Sequence, residues 1–263
     1  MRQLRGVLRR VGYIALYSWM PVMLVLMWWF MAPRRSVYFP ALWTVLDFIR
    51  QQWIWGFTNA DFRPSIEHFA LGYAMALAGG MIIGLAMYSI PAFYRLSLPI
   101  ITFFRGLPSV ALIPVLILLF GIGGVFKIGV IALGAFQVVL LNTVNGLRSL
   151  DSVQAETARA YGLSRWHTVT KLWLPSASPQ IVAGARTGLQ AAILLMVASE
   201  FIASSNGIGY VITSEQQSFN GPGMWSGMVV LGILGIALNL LFICGERLVL
   251  GWYRGMRKQE ANS

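Results

Sequence analysis

Six stretches of this sequence are long and apolar enough to cross a lipid bilayer, and that constrains the fold more than any other feature. They are residues 12–31, 68–88, 100–120, 125–147, 182–203 and 225–244. A helix needs about 20 mainly apolar residues to span the hydrocarbon core. Backbone N–H and C=O groups find no water there, so they must satisfy one another. Charged side chains make up 11% of the chain and hydrophobic ones 57%, against about 25% charged in an ordinary soluble domain. The expectation is an all-α membrane bundle. The third stretch holds Arg105, Pro108 and Pro114, so it is the least regular and its start is the least defined. The first runs out through MWWFMAPRR (27–35), whose bulky residues offer no cleavage site, and it reads as a retained helix. A single cysteine, Cys244, excludes an intrachain disulfide.

The net charge of +11 would suggest nucleic acid in a soluble protein. Here the basic residues gather at the ends of apolar runs and speak about orientation instead. Thirteen Lys and Arg fall in the two terminal segments and in the second-to-third and fourth-to-fifth connections. Four (Arg34, Arg35, Arg50 and Arg63) fall on the other side, and Arg105, Lys127 and Arg186 lie within spans. The positive-inside rule then puts both termini, and the segment between the fourth and fifth spans, in the cytoplasm. The organisation expected is a cytoplasmic segment at 1–11, a six-span domain at 12–248 with a cytoplasmic loop at 149–178, and a cytoplasmic tail at 249–263.

That loop contains AETARAYGLSRWHTVTKLWLP, from Ala155 to Pro175. Asp151 with Gln154 forms a capping-box-like start. Glu156 and Arg159 can pair at i, i+3. Gly162 falls where a helix wants a left-handed terminal residue. Ser164 can cap a second short helix, with Trp166, Val169, Leu172 and Trp173 near one face and Pro175 expected to end it. Two readings of this helix–corner–helix remain open: an interfacial hairpin that only packs on the bundle, or a docking element for a cytoplasmic partner.

Glu156-Thr157-Ala158, three residues, Gly162, nine residues and Leu172-Trp173-Leu174-Pro175 together resemble the EAA loop of ABC importer permeases. That pattern runs E-A-A, three residues, G, nine residues, I-x-L-P. Thr157 and Leu172 depart mildly from it. FFRGLPSVALIPVLILLFGIGGVFKI at 103–128 and SEFIASSNGIGYVI at 199–212 resemble the aliphatic sulfonate, taurine and nitrate branch, and YFPALWTVLDF near Tyr38 does so more weakly. The resemblance implies a type I ABC importer permease fold with six transmembrane helices and a cytoplasmic coupling-helix hairpin. It implies a homodimer in a bacterial inner membrane, two separate ATP-binding subunits, and a periplasmic or lipid-anchored solute-binding protein. It implies that Glu156, Ala158, Tyr161, Gly162, Leu163 and Ser164 shape the coupling contact, with Leu174 and Pro175 leading back into the fifth span. The implied solute is a small anion such as a sulfonate, taurine or nitrate. Related permeases also serve pyrimidine precursors and aromatic acids.

Ionisable groups inside a membrane are costly and default to functional candidates. Glu200, near the outer end of the fifth span, reads as a pathway or gate residue. Arg105 either attracts an anion or snorkels to a headgroup. Arg186 is expected to snorkel, and Lys127, after a glycine-rich turn, to lie at the interface. Pro108 and Pro114 free backbone carbonyls, which makes 106–114 a candidate stretch of pathway wall. Asn142 is a further pathway candidate, with interhelical hydrogen bonding as the plainer reading. Small residues at Ala76, Gly80 and Gly84, and at Gly184 and Gly188, offer faces for close helix approach.

The sequence has no G-x-x-x-x-G-K-[ST] phosphate loop, so ATP hydrolysis is expected in another subunit. No H-E-x-x-H or similar metal spacing occurs, and His68 and His167 fall on opposite sides of the bilayer, which disfavours a membrane enzyme. No catalytic residue, metal or cofactor is expected. The rival function is an ion-coupled transporter using Glu200 and needing no ATPase partner.

Overall fold

A computed structural model describes residues 19–32, 38–150 and 160–253, together with positions 153, 156 and 158. Residues 12–18 of the first apolar stretch fall outside this set, as do Asp151, Gln154, Thr157 and Arg159 and the tail after 253. The described residues form helices and no strands. In chain order these are α1 (Trp19–Met31), α2 (Leu42–Phe48), α3 (Arg63–Ser89), α4 (Pro91–Gly106), α5 (Ile113–Phe120), α6 (Gly124–Arg148), α7 (Leu174–Ile202), α8 (Ile208–Gln217) and α9 (Gly221–Val249). Four unbroken helical runs are long and apolar enough to cross a membrane: Gly56–Ser89, Gly124–Arg148, Thr168–Ile202 and Gly221–Val249.

The third expected span is not one straight helix. α4 runs from Pro91 to Gly106, and the chain then turns by 96° into Ser109–Phe120. Pro108 causes the break. A proline disfavours helical backbone in the residue before it, and Leu107 is accordingly extended, at φ −92 and ψ 127. Pro114 lies in the first turn of α5, where a missing N–H costs nothing. Counted as one broken span, this pair brings the described spans to five.

The chain divides into two compact units. In the one made of 59–210 and 231–263, α6 is the central helix and packs along both α3 and α7. Small residues set how closely these helices approach. Gly72, Ala76, Gly80 and Gly84 put one small side on each turn of α3. A Cβ at Gly72 would lie 2.8 Å from Ile131 Cβ, one at Gly80 2.7 Å from Val139 Cγ1, and one at Gly84 2.8 Å from Thr143 Cγ2. On the α7 side, a Cβ at Gly184 would fall 2.3 Å from Asn142 Cβ, and one at Gly188 3.0 Å from Val139 Cγ2. Without a hydrophobic driving force between helices in lipid, this close van der Waals packing supplies the cohesion. Apolar clusters fill the ends of the bundle: Ile113, Leu116, Phe126, Val130 and Leu195 at one, and Leu147, Ala177 and Ile181 at the other.

The unit made of 1–58 and 211–230 is rich in aromatic contacts. Trp28 stacks on Phe39 and tilts against Trp225, with ring centroids 5.8 and 5.1 Å apart. Three indole N–H groups find acceptors within it, as amphipathic rings packed in protein require: Trp28 donates to Pro40 O at 3.0 Å, Trp225 to Tyr38 O at 2.9 Å and Trp53 to Ser226 Oγ at 2.9 Å.

The helix leading into α7 corrects one expectation. Pro175 does not end it; the helix runs without a break from Thr168 to Ile202. A π-helical turn over Thr168–Trp173 precedes the proline, which then occupies the first turn of α7. Pro179 lies inside the same helix, and its missing N–H would leave the carbonyl of Pro175 without a partner. Ser178 Oγ donates to that carbonyl at 2.7 Å.

Candidate functional site

At one end of α7 stands the hairpin. Ala158 is 5% exposed, while Glu156, Tyr161 and Leu163 are exposed. Gly162 has φ +62, and Leu163 N–H donates to Ala158 O at 3.1 Å. This six-to-one bond, with a left-handed glycine one residue earlier, is a Schellman helix end. It turns the chain sharply without spending a side chain on the corner. The next helix begins at Arg165. Ser164 Oγ accepts the His167 N–H at 3.4 Å and bonds His167 Nδ1 at 2.7 Å, so Ser164 is its N-cap. The apolar face expected on this helix divides. Trp173 meets Tyr88 edge to face at 4.9 Å and roots the hairpin with Leu174 on the Leu147 cluster. Trp166 is instead 73% exposed.

At the opposite end of α7 lies a buried polar cluster. Glu200 is 1% exposed, Ser65 0%, Lys127 2% and Asp61 6%. Three successive backbone N–H groups at the start of α8 each meet one side-chain oxygen. Gly207 donates to Asp61 Oδ1 at 2.9 Å, Ile208 to Ser65 Oγ at 2.9 Å, and Gly209 to Glu200 Oε2 at 2.8 Å. The first N–H groups of a helix have no intrahelical acceptor and carry its positive dipole end, so two carboxylates and a hydroxyl suit them. Ser65 Oγ also bonds Glu200 Oε1 at 2.6 Å. Lys127 Nζ donates to Asn206 O at 2.9 Å and to Asn206 Oδ1 at 2.8 Å, and its charge acts on both carboxylates. Lys127 is therefore a buried clamp on the 204–209 turn. The carbonyl and amide oxygens of Asn206 that satisfy it are brought there by folding and are not visible in a linear sequence.

Asp61, Ser65 and Asn206 do not stand out in the sequence alone. Asp61 and Ser65 stand at i, i+4, one polar stripe at the head of an apolar helix, and that spacing is the signal that marks them. The remaining candidates are dispersed. Arg105, Pro108 and Pro114 are exposed around the α4–α5 break. Asn142 Nδ2 donates to Val138 O at 2.8 Å and its Oδ1 accepts from Gln180 Nε2 at 3.1 Å, which places it in the α6–α7 crossing. Arg186 faces Glu246 at 3.9 Å.

An all-α chain of this kind, with a broken span and an extramembrane corner, has the fold of an ABC importer permease. The inward-facing MetNI methionine ABC transporter matches it with TM-score 0.60 at 21% identity, covering 79% of this chain and 97% of that one. The profile described as "Binding-protein-dependent transport system inner membrane component" matches residues 76–250, and the chain belongs to that family. It is 36% identical over 190 residues to a "Putative aliphatic sulfonates transport permease protein SsuC" of Bacillus subtilis, covering 72% of this chain and 68% of the relative. It is 30% identical over 189 residues to the "Taurine transport system permease protein TauC" of Escherichia coli, covering 72% and 69%. The protein is thus the membrane component of an ABC importer, a multi-pass inner-membrane protein with a transport role.

Proposed function

We propose that two copies of this chain form the solute pathway of an ATP-driven importer, and that the 156–175 hairpin docks on a separate ATP-binding subunit beneath each copy. The observation that carries this reading is the Gly162 corner. Its Schellman bond holds Glu156, Tyr161 and Leu163 outward on a rigid turn, and Leu174 and Pro175 join that turn directly to a membrane-crossing helix. A merely interfacial hairpin has no need of a rigid outward corner in helical continuity with a span. Both termini lie in the cytoplasm in this reading, on the basic-residue count.

The solute is a small anion such as a sulfonate, taurine or nitrate, delivered by a solute-binding protein; the names of the relatives and the basic character of the chain support this. The pathway wall includes Arg105, Pro108, Pro114 and Asn142. The Glu200 cluster acts as the fastening of the outer gate: it fixes the 204–209 turn to α3, α6 and α7 at the end of the bundle remote from the hairpin.

The test is purification of the chain in mild detergent from its own membrane, with mass spectrometry of what accompanies it. An ATP-binding subunit is expected, and Gly162→Pro is expected to release it while the bundle still folds. A single-protein species that moves solute in vesicles without ATP would refute the proposal.

A further inference from the structure

α4 is fastened firmly near its start and loosely at its end. Near the start, Arg148 Nη1 donates to Tyr94 Oη at 2.7 Å, and the guanidinium carbon lies 3.7 Å over the centre of the Tyr94 ring. A charge-assisted hydrogen bond and a cation–π contact thus join one pair of side chains. Tyr94 and Ile101 also rest on an apolar cluster built from Met87 of α3 and Leu140 and Val144 of α6. At the other end the polar tie is a long one. Gln137 Nε2 donates to Phe104 O at 3.4 Å, beyond the roughly 2.7–3.2 Å of a well-formed bond. No side chain of α4 is buried within the chain.

Pro99 lies inside the helix, between these two attachments. Its missing N–H removes the bond to the carbonyl of Arg95, four residues earlier, so the helix is weakest there. Residues 100–106 are bounded on their other side by the extended backbone of Leu107. Along this segment α4 stands off α6. The two leave a groove of about 250 Å³, lined by Ile101 and Phe104 on one side and Leu133, Phe136 and Leu140 on the other. Protein interiors pack as densely as organic crystals, so two apolar faces held apart forgo dispersion contact that closure would supply. A Cβ at Gly106 would meet nothing within 4 Å, so nothing in the chain obstructs the end of the segment.

Arg148 is the last residue of α6, and the loop that carries the hairpin starts after it. We infer that residues 100–106 form a flap, hinged at Pro99, that closes the groove against α6 during transport, and that Arg148 is the positioning residue that ties this flap to the hairpin loop. A displacement of the loop shifts the last turn of α6. The Arg148–Tyr94 pair carries the first half of α4 with it, and the bend at Pro99 changes. The inference rests on the permease reading above and adds a moving part to it. The flap carries Arg105, so the two positions of the flap present different walls to the solute.

The test uses the whole transporter with its ATP-binding subunits in lipid nanodiscs. Phe104→Cys and Leu133→Cys are placed across the groove in a Cys244→Ser background. Disulfide formation within the chain is read as loss of free thiol, without nucleotide and with ATP trapped by vanadate. The yields should differ about threefold or more between the two states, as expected of a two-position segment whose populations a ligand shifts. Arg148→Gln should keep the ATP-binding subunit and ATP hydrolysis but remove that difference, and Arg148→Lys should restore part of it. Pro99→Ala separates a hinge from a merely structural proline. It returns the missing backbone bond, so it should raise the melting temperature and at the same time lower uptake severalfold. Equal disulfide yields in the two states overturn the flap, as does a disulfide that forms between two copies in place of within one. A Pro99→Ala protein with raised melting temperature and full uptake overturns the hinge. A nucleotide-dependent yield that survives Arg148→Gln overturns the tie to the hairpin loop. ATP hydrolysis, and its loss in Gly162→Pro, is measured in parallel. If hydrolysis is present while the yields stay equal, the flap alone falls. If no ATP-binding subunit accompanies the chain, the permease reading falls and the flap with it.

Discussion

Glu200 holds two donors, the Ser65 hydroxyl and the Gly209 amide, at a position that is 1% exposed. Its carboxylate serves as an internal acceptor at a position closed to the surface. Glu200→Ala strands both donors in a buried site, a cost of about 1–3 kcal/mol for each unsatisfied group. The expected outcome is a lower melting temperature of the detergent-purified complex and reduced uptake, with the partner subunits still bound. Unchanged melting and uptake would remove the cluster from any gate role. Glu200→Gln keeps an acceptor oxygen and should fall between wild type and Ala. Lys127→Met should be the more damaging change. It deletes both bonds to Asn206 and leaves Asp61 and Glu200 buried without the nearby cation. A Lys127→Met protein as stable as Glu200→Gln would mean that this cation does not secure the turn.

At the scale of elements, the hairpin corner depends on a backbone conformation more than on any contact. A Cβ at Gly162 would meet nothing within 4 Å, so the penalty of substitution is the left-handed backbone alone. That penalty is roughly 1–2 kcal/mol for an L-residue. Gly162→Ala should therefore fold, keep the bundle intact and lower ATP-coupled transport. Gly162→Asn, which tolerates the left-handed region, should restore some of it. Equal loss in both variants would show that the residue type matters there and not the conformation. The helix seam behaves oppositely. Gly80→Leu has adequate backbone freedom and no space, because Val139 Cγ1 stands 2.7 Å from the added Cβ. Overpacking of about 1–3 kcal/mol is expected, read as a lowered melting temperature. The spacing of Ala76, Gly80 and Gly84 made this seam legible in sequence, since every fourth residue shares a helix face. The corner was legible too, because few residues other than glycine adopt its φ. The course through Pro175 was not. A proline usually marks a boundary, but its cost disappears when it falls in the first turn after a π-helical stretch, and that register is set by the packing of Trp173 and Leu174 on the core.

For the molecule as a whole, apolar runs gave the class and most of the spans, and the 96° break was foreshadowed by Pro108 without its angle being readable. The polar cluster was half legible. Glu200 stood out as a carboxylate in an apolar run, whereas Asp61 and Asn206 came from segments that read as extramembrane and join Glu200 only through folding. The proposed transport cycle has the two ends of the bundle respond to each other, and the 35 residues of Thr168–Ile202 run from the hairpin to the Glu200 cluster without interruption. At 1.5 Å per residue that is a rod of about 52 Å, well beyond the roughly 30 Å of a hydrocarbon core. A rod pivoted in the membrane behaves as a lever arm. A tilt of about 5° over such a length carries one end roughly 4–5 Å relative to the other, on the order of a full helical turn's rise. A tilt of that size, imposed at the hairpin end, is large enough at the far end to slide a layer of side chains clear of its neighbour.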